Sequence, residues 1–279
     1  MANDKDNERT MRKIGFLGAG NMAGALIKGL LSAKLYRPQD IIVSDVQPEQ
    51  LRKMKRAYKV DGVKSNRAVV REASTIVLAV KPQILPQVLQ EVGPEVTKHK
   101  LFISIAAGVP LRRLEAGLGG NARVVRVMPN TPALLGKGIA VIVRGSKAKP
   151  QDEKLALTLF RGVGEALAVK EEALMDPVTG LSGSGPAYVY LFSEALIAGG
   201  VQEGLPPKMA TQLALQTLEG AVAMLKETGK SPKELRDMVT SPGGTTLAGL
   251  SRLEEGQFAS TVSAAVSAAT RRSKELGQS

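Results

Sequence analysis

Cysteine and tryptophan are absent from this chain, and histidine occurs once. Without cysteine there is no disulfide framework, no thiolate nucleophile and no cysteine-bound metal. No metal site is expected, and the lack of thiols accords with a cytoplasmic setting. The single histidine, His99, lies between Lys98 and Lys100 just before an apolar run, where it reads as a surface residue. Any chemistry here must therefore proceed without an imidazole. No window approaches the ~18 uninterrupted apolar residues of a membrane span, so no membrane partner is expected. Aromatics make up only 3% of the chain, and the lysines and arginines behind its +12 net charge are spread out rather than interleaved with stacking rings. Nucleic acid is accordingly not the expected partner; the basic balance favours phosphate-bearing small ligands. Residues 1–11 are polar and lack the apolar segment of a secretory signal. They read as a disordered tail ahead of the fold.

What is present divides in two. Short runs rich in Ile and Val at Lys13–Leu17, Ile41–Ser44, Thr75–Val80, Leu101–Ser104, Arg123–Val127 and Ile139–Val143 suit strands buried on both faces of a mostly parallel sheet. Helical patterns at Asn21–Ala33, Pro48–Ala57, Asn66–Glu72, Leu85–Val92 and Leu111–Gly117 alternate with them. Strand and helix in alternation predict a doubly wound α/β domain over residues 12–168. From about Gln151 strands nearly vanish, Glu165–Val169 being the last candidate. Helical patterns follow at Pro186–Ala198, Pro206–Glu227, Ser231–Thr240, Thr245–Glu255 and Phe258–Glu275, predicting an all-α domain over 169–279. The pattern at Pro206–Leu225 has no wide polar face, which predicts burial. A domain of this size has little room to bury it internally. Burial between subunits is expected, with a compact monomeric bundle as the alternative.

Two glycine-rich turns carry the chemistry. Gly18-Ala19-Gly20-Asn21-Met22-Ala23 follows the first strand and opens the first helix. That is the context in which Gly-x-Gly-x-x-Ala binds a dinucleotide: the first glycine permits the turn, the second lets backbone approach the pyrophosphate, and the alanine packs helix on strand. Free N–H groups at the helix start meet phosphate oxygens. The second strand ends at Ser44-Asp45, and an acid there accepts hydrogen bonds from the adenine ribose and disfavours a 2′-phosphate, a lean toward NADH over NADPH. Arg52, Lys53, Lys55 and Arg56 on the next helix are either a phosphate grip or a solvated face. Lys81-Pro82, Ser104 to Gly108 and Met128 to Pro132 stand at carboxyl ends of strands, where ligands bind in such sheets. Asn130 either bonds a nicotinamide carboxamide or caps its turn.

The second turn, Ser241-Pro242-Gly243-Gly244-Thr245-Thr246, precedes a helix carrying Leu247, Leu250 and Leu253. Backbone N–H groups at a positive helix end, with three hydroxyls beside them, suit a carboxylate. Plain N-capping would need fewer of these residues.

Over Lys13 to about Leu276 the chain resembles the pyrroline-5-carboxylate reductases. The residues that carry this are Phe16 to Met22, Leu78 to Pro82, Val127 to Pro132, Thr179 to Tyr188 and Leu235 to Glu254. The resemblance implies a Rossmann domain followed by a helical dimerisation domain, with homodimers or larger rings. It implies hydride transfer from NADPH or NADH to the C=N carbon of 1-pyrroline-5-carboxylate, giving L-proline. Carried over by position, Gly18, Ala19, Gly20, Asn21, Met22, Asn66, Ala79, Val80, Lys81, Pro82, Ala106 and Ala107 would contact the cofactor. Ser241, Gly243, Gly244, Thr245 and Thr246 would hold the substrate, Thr246 bonding the ring nitrogen. The family commonly favours NADPH; Asp45-Val46 departs from its usual pattern. Two other readings remain: a reductase of the β-hydroxyacid dehydrogenase type, for which Lys208 and Lys226 are available proton-transfer groups, and a non-catalytic nucleotide-binding regulator.

Overall fold

The computed structural model describes Lys13–Gln278; the tail expected over residues 1–11 lies outside the described residues. The chain forms two units, one running to Gly183 and resuming at Ala269, the other spanning Ser184–Ala268.

The first unit is built on eight strands: β1 (Ile14–Leu17), β2 (Ile41–Ser44), β3 (Asp61–Val63), β4 (Thr75–Leu78), β5 (Leu101–Ser104), β6 (Arg123–Met128), β7 (Gly138–Arg144) and β8 (Gly164–Val169). They pair in the order β3-β2-β1-β4-β5-β6-β7-β8. Every pairing is parallel except β6 with β7. Leu17 lies level with Ser44 on one side and Leu78 on the other, so the carboxyl ends of β1, β2 and β4 finish together. The helices are α1 (Asn21–Ser32), α2 (Pro48–Tyr58), α3 (Asn66–Glu72), α4 (Leu85–Val92), α5 (Leu111–Gly117), α6 (Pro150–Arg161) and the short α7 (Met175–Val178).

The strands read as unbroken apolar runs because both faces are covered. Ile14, Phe16 and Val43 face α1, α2 and α6 in one core, while Leu17, Ile42 and Ile76 face α3, α4 and α5 in the other. Phe16, Phe102 and Phe160 are fully buried here, each contributing about 1.5–3 kcal/mol of transfer free energy.

Three features depart from the sequence reading. β3 was not expected: it is a three-residue, largely exposed edge strand opening Asp61-Gly62, held by pairing to β2 rather than by side-chain burial. α6 was not expected either, although Pro150 at its first turn and the buried Ala156, Leu159 and Phe160 are ordinary helix signals. The first unit also runs to Gly183, past the expected limit at 168. Arg126, inside β6 with a side chain only 5% exposed, ion-pairs Glu172 at 2.7 Å. The same Glu172 oxygen accepts the Leu111 N–H at 2.7 Å. Met175 is fully buried in the α3–α5 core, and the Ser273 hydroxyl donates to Asp176 at 2.7 Å. A buried guanidinium must be paired, and its partner lies beyond β8.

The second unit holds α8 (Gly185–Gln202), α9 (Pro207–Glu227), α10 (Pro232–Met238), α11 (Thr245–Glu255) and the start of α12 (Phe258–Gln278). Gly229 follows α9 with φ +67°, the left-handed stop its position predicts. The remaining phenylalanines, Phe192 and Phe258, meet with ring centroids 5.7 Å apart. Within the single chain this unit buries little: along α9 only Ala210 and Ala214 are buried, while Met209, Leu213 and Val222 are about half exposed. A compact monomeric bundle is thereby contradicted. An apolar helix surface left open on one chain is an association surface.

Candidate active site

In the first unit, the candidate site lies where the strand order reverses, between β1 and β4, the place such sheets bind ligands. Backbone hydrogen bonds gather the loop starts there: Gly18 N–H to Ser44 O at 2.8 Å, Ala79 N–H to Leu17 O at 2.8 Å, and Ile105 N–H to Leu78 O at 3.2 Å. Gly18 adopts φ +101°, and a Cβ on it would stand 2.7 Å from the Ala79 carbonyl oxygen. The turn thus requires glycine for both conformation and space. Gly20 differs. It is the N-cap of α1 with an ordinary φ of −73° and no side-chain cap, and a Cβ there would meet nothing within 4 Å. No acidic residue occupies the first turn of α1. Open space before a helix start with uncapped N–H groups fits a pyrophosphate, and the Asn21 and Met22 amides belong to that start.

Asp45 sits at the end of β2 in a fixed pose: its two carboxylate oxygens accept the N–H groups of Ala19 and Gln47, each at 2.8 Å. A carboxylate has further lone pairs for ribose hydroxyls. The dinucleotide turn and the acid are therefore one hydrogen-bonded piece. Pro82 and Ala107, from two strand ends, line the same cavity of about 510 Å³, with Leu85, Leu89 and Arg113 along its wall. Ala79 and Val80 are half-buried beside it in sequence, Lys81 is exposed and Ala106 is buried.

Two expected cofactor residues have internal partners. Asn66 accepts the Ser44 hydroxyl at 2.7 Å and donates to Glu91 at 2.7 Å, so its amide braces the end of β2. Asn130 accepts the Ile139 N–H at 2.9 Å and donates to Ser182 O at 3.1 Å. It is the N-cap residue of the short turn Thr131–Leu135, but its side chain makes no cap bond; the amide instead ties the turn after β6 to β7 and to a π-helical turn at Thr179–Gly183. Gly183 lies against the terminal methyl of Met128, which a Cβ there would push aside, so this π-turn packs on the β6 end. Single π-turns concentrate at functional sites. Asn130, Met128 and Ser182 act here as a group, which spacing along the chain does not reveal.

In the second unit, the candidate site is the turn before α11. Gly243 has φ +70°, and a Cβ on Gly244 would collide with the Ser241 hydroxyl oxygen. Gly244 is the N-cap of α11 and offers no side chain for capping; its own N–H donates to Ser241 O at 3.0 Å. Among the described residues the hydroxyls of Ser241, Thr245 and Thr246 have no hydrogen-bond partner, and Thr246 is half-buried. Three available hydroxyls and uncapped helix-start amides form a donor-rich turn suited to a carboxylate.

A parallel sheet with a dinucleotide turn at its switch point, followed by helices with an open apolar surface, defines a Rossmann oxidoreductase with a nicotinamide cofactor and a self-associating helical unit. Residues 172–276 match the family described as pyrroline-5-carboxylate reductase dimerisation, and residues 13–108 match that described as NADP oxidoreductase, coenzyme F420-dependent. A pyrroline-5-carboxylate reductase of Methanosarcina acetivorans is 47% identical over 267 residues, covering 96% of this chain and 98% of that one. One of Arabidopsis thaliana is 42% identical, covering 96% of each. Among solved structures, a Plasmodium falciparum pyrroline carboxylate reductase with NADP bound aligns with a TM-score of 0.88 at 36% identity, over 96% of this chain and 98% of that one. The chain belongs to the pyrroline-5-carboxylate reductase family.

Proposed function

We propose that this protein reduces 1-pyrroline-5-carboxylate to L-proline, the last step of proline synthesis, in the cytoplasm and as a homodimer or a larger ring of dimers. The observation that carries the substrate assignment is the turn at Ser241–Thr246, whose hydroxyls are available, whose Gly243 takes the left-handed φ of +70° and whose Gly244 heads α11 without a side chain. Its amides and hydroxyls hold the substrate carboxylate, and the Thr246 hydroxyl bonds the ring nitrogen. When bound, the reduced nicotinamide supplies the hydride. The hydride pair forms a C–H bond at the imine carbon, the C=N pair moves onto nitrogen, and the resulting amine takes its proton from water. A protonated cyclic imine is already electrophilic, so the protein's task is orientation, worth at most about 7–11 kcal/mol.

Gly18–Met22, Ala79–Pro82, Ala106 and Ala107 would hold the dinucleotide. Asp45, pinned by two amides, receives the adenine ribose hydroxyls and repels a 2′-phosphate, favouring NADH. Asn66 and Asn130, each tied to a neighbouring loop, keep a further N–H and lone pair for the cofactor.

The direct test is consumption of NADH and NADPH with pyrroline-5-carboxylate, set beside oxidation of β-hydroxyacids; activity with only the latter would overturn the assignment. Thr246→Ala should lower turnover markedly while the melting temperature moves little, because the hydroxyl has no internal partner to lose. Unchanged turnover would remove Thr246 from the site.

A further inference from the structure

Asp45 ends β2 and the dinucleotide turn ends β1, and β4 and β5 follow in that direction across the sheet. With the adenine ribose on Asp45 and the pyrophosphate on the turn, residues 105–110, which carry Ala106 and Ala107, fall at the nicotinamide end. That loop has little of its own to hold it. Ile105 and Val109 pack at its flanks, but Ala106, Ala107 and Gly108 between them carry nothing larger than a methyl group. The Ala106 N–H reaches the Ser104 hydroxyl only at 3.3 Å. We propose, resting on the cofactor reading above, that Glu172, Arg126, Asp176 and Ser273 form a positioning network that fixes this loop for hydride transfer.

The loop ends at Pro110, the N-cap of α5, which makes no side-chain cap. The first helical N–H, of Leu111, goes instead to Glu172 Oε1 at 2.7 Å, 61 residues further along the chain. The same oxygen accepts Arg126 Nη1 at 2.7 Å. Arg126 stands inside β6, the neighbour of β5, so the start of α5 is tied to a rigid strand. On its other side Arg126 Nη2 lies 4.0 Å from Asp176 Oδ1, which accepts the Ser273 hydroxyl at 2.7 Å. Ser273 is buried in the last turns of α12, the part of that helix that belongs to the first unit.

Those turns lie against the loop itself. Gly108 has φ +71°, and a Cβ on it would stand 3.0 Å from Leu276 Cβ and 3.6 Å from Ser273 O; one on Gly277 would stand 3.1 Å from Gly108 O. Glycine at both positions lets backbone approach backbone. Arg112 Nη2 adds a bond to the Gly277 carbonyl at 3.4 Å. Glu172 thus fixes where the loop ends, and Ser273 fixes the helix end on which it leans. A plain helix cap would need only a serine or aspartate at position 110. A cap delivered from Glu172 and shared with a buried guanidinium links α5, β6 and α12 around one loop. Groups at a reacting centre must be held to within about 0.5 Å by such supports, and misplacement by about 1 Å costs about a hundredfold in rate.

The test compares the full chain with Glu172→Ala and Ser273→Ala, measuring kcat and the Kd of NADH and of ADP-ribose, which lacks the nicotinamide. Turnover should fall by about tenfold or more in Glu172→Ala and by about threefold or more in Ser273→Ala. NADH affinity should fall in both while ADP-ribose affinity holds. A network that only stabilises the fold would leave turnover and both affinities at wild-type values well below the melting temperature, and that result overturns the proposal. Equal loss of both affinities also overturns it. If Glu172→Ala does not fold, Ser273→Ala decides by the same split. Ala107→Leu separates the proposal from the reading beneath it. Weaker NADH binding there, with ADP-ribose binding unchanged, upholds the loop's place at the nicotinamide, so wild-type behaviour of the network variants would then overturn the network's role alone. Unchanged NADH binding in Ala107→Leu overturns the cofactor reading and the proposal with it.

Discussion

Gly20→Ala separates cofactor binding from folding more cleanly than any other single change in the first unit. Gly20 has φ −73° and ψ −177°, a conformation open to any residue, and a methyl group there would touch no protein atom within 4 Å. Folding should therefore not suffer. Replacing glycine at a compatible position stabilises by about 0.4–1 kcal/mol through the unfolded chain, so the melting temperature should hold or rise slightly. The same methyl group intrudes where a pyrophosphate must approach backbone. Loss of one charge-assisted hydrogen bond costs about 1.5–3 kcal/mol, which is roughly a 10- to 150-fold rise in Kd. Titrating NADH by its fluorescence, beside a calorimetric melt, reads both quantities. Unchanged affinity at unchanged stability would place the pyrophosphate elsewhere. A melting temperature several degrees lower would show that the space before α1 is not open.

Gly18→Ala should behave in the opposite way: with φ +101° and a Cβ 2.7 Å from the Ala79 oxygen, it should destabilise by at least about 1–3 kcal/mol, visible as a lower melting temperature even without cofactor. Asp45→Ser should raise the kcat/KM ratio for NADPH over NADH, since it removes the anion at the end of β2; an unchanged ratio would show that Asp45 does not face the ribose. Glu95 accepts from both Arg71 and Arg67, and these bonds hold its carboxyl down at about 2. A lowered carboxyl contributes its stability above the ordinary carboxylate range and loses it as pH falls toward 2. Glu95→Gln should therefore flatten the acid limb of a stability–pH profile between about pH 4.5 and 2, and an identical limb would show that the cluster is uncoupled from folding.

The legibility of this chain follows burial. β1, β2, β4 and β5 are apolar on both faces, so their runs stand out without any partner being known. β3 exists because β2 offers an open edge, information that is not in Asp61-Gly62-Val63 themselves. Arg126 was a signal left unread: a charge within Arg123-Val124-Val125-Arg126-Val127-Met128 requires a buried partner, and finding it in Glu172 extends the first unit beyond β8. The glycine turns were readable because glycine advertises backbone demands. Asn66 and Asn130 were less so, since an amide serves a ligand or a neighbouring loop equally well, and their bonds to Ser44, Glu91, Ile139 and Ser182 appear only in the folded chain. The open surface of α9 was foreseen from its lack of a polar face, because an apolar helix demands a partner whether or not one chain can provide it.

The poverty of this sequence in histidine and cysteine also discriminates between reactions. Oxidising an alcohol requires a group to take the hydroxyl proton beside the substrate. The turn at Ser241–Thr246 presents hydroxyls, and the carboxylate just before it in sequence, Asp237, is paired with Lys233 at 2.6 Å. That bond keeps Asp237 ionised below the usual carboxylate range, so it is a poor proton donor at neutral pH. Its ion pair also draws it away from service as a base. Reduction of a protonated imine asks for neither role: the positive charge already resides on the substrate, and a carboxylate grip with a hydroxyl on nitrogen fixes the ring. A turn rich in glycine amides and hydroxyls but poor in acid–base groups is what hydride addition to such a ring requires, whereas dehydrogenating an alcohol would call on a group outside the turn, such as Lys208 or Lys226.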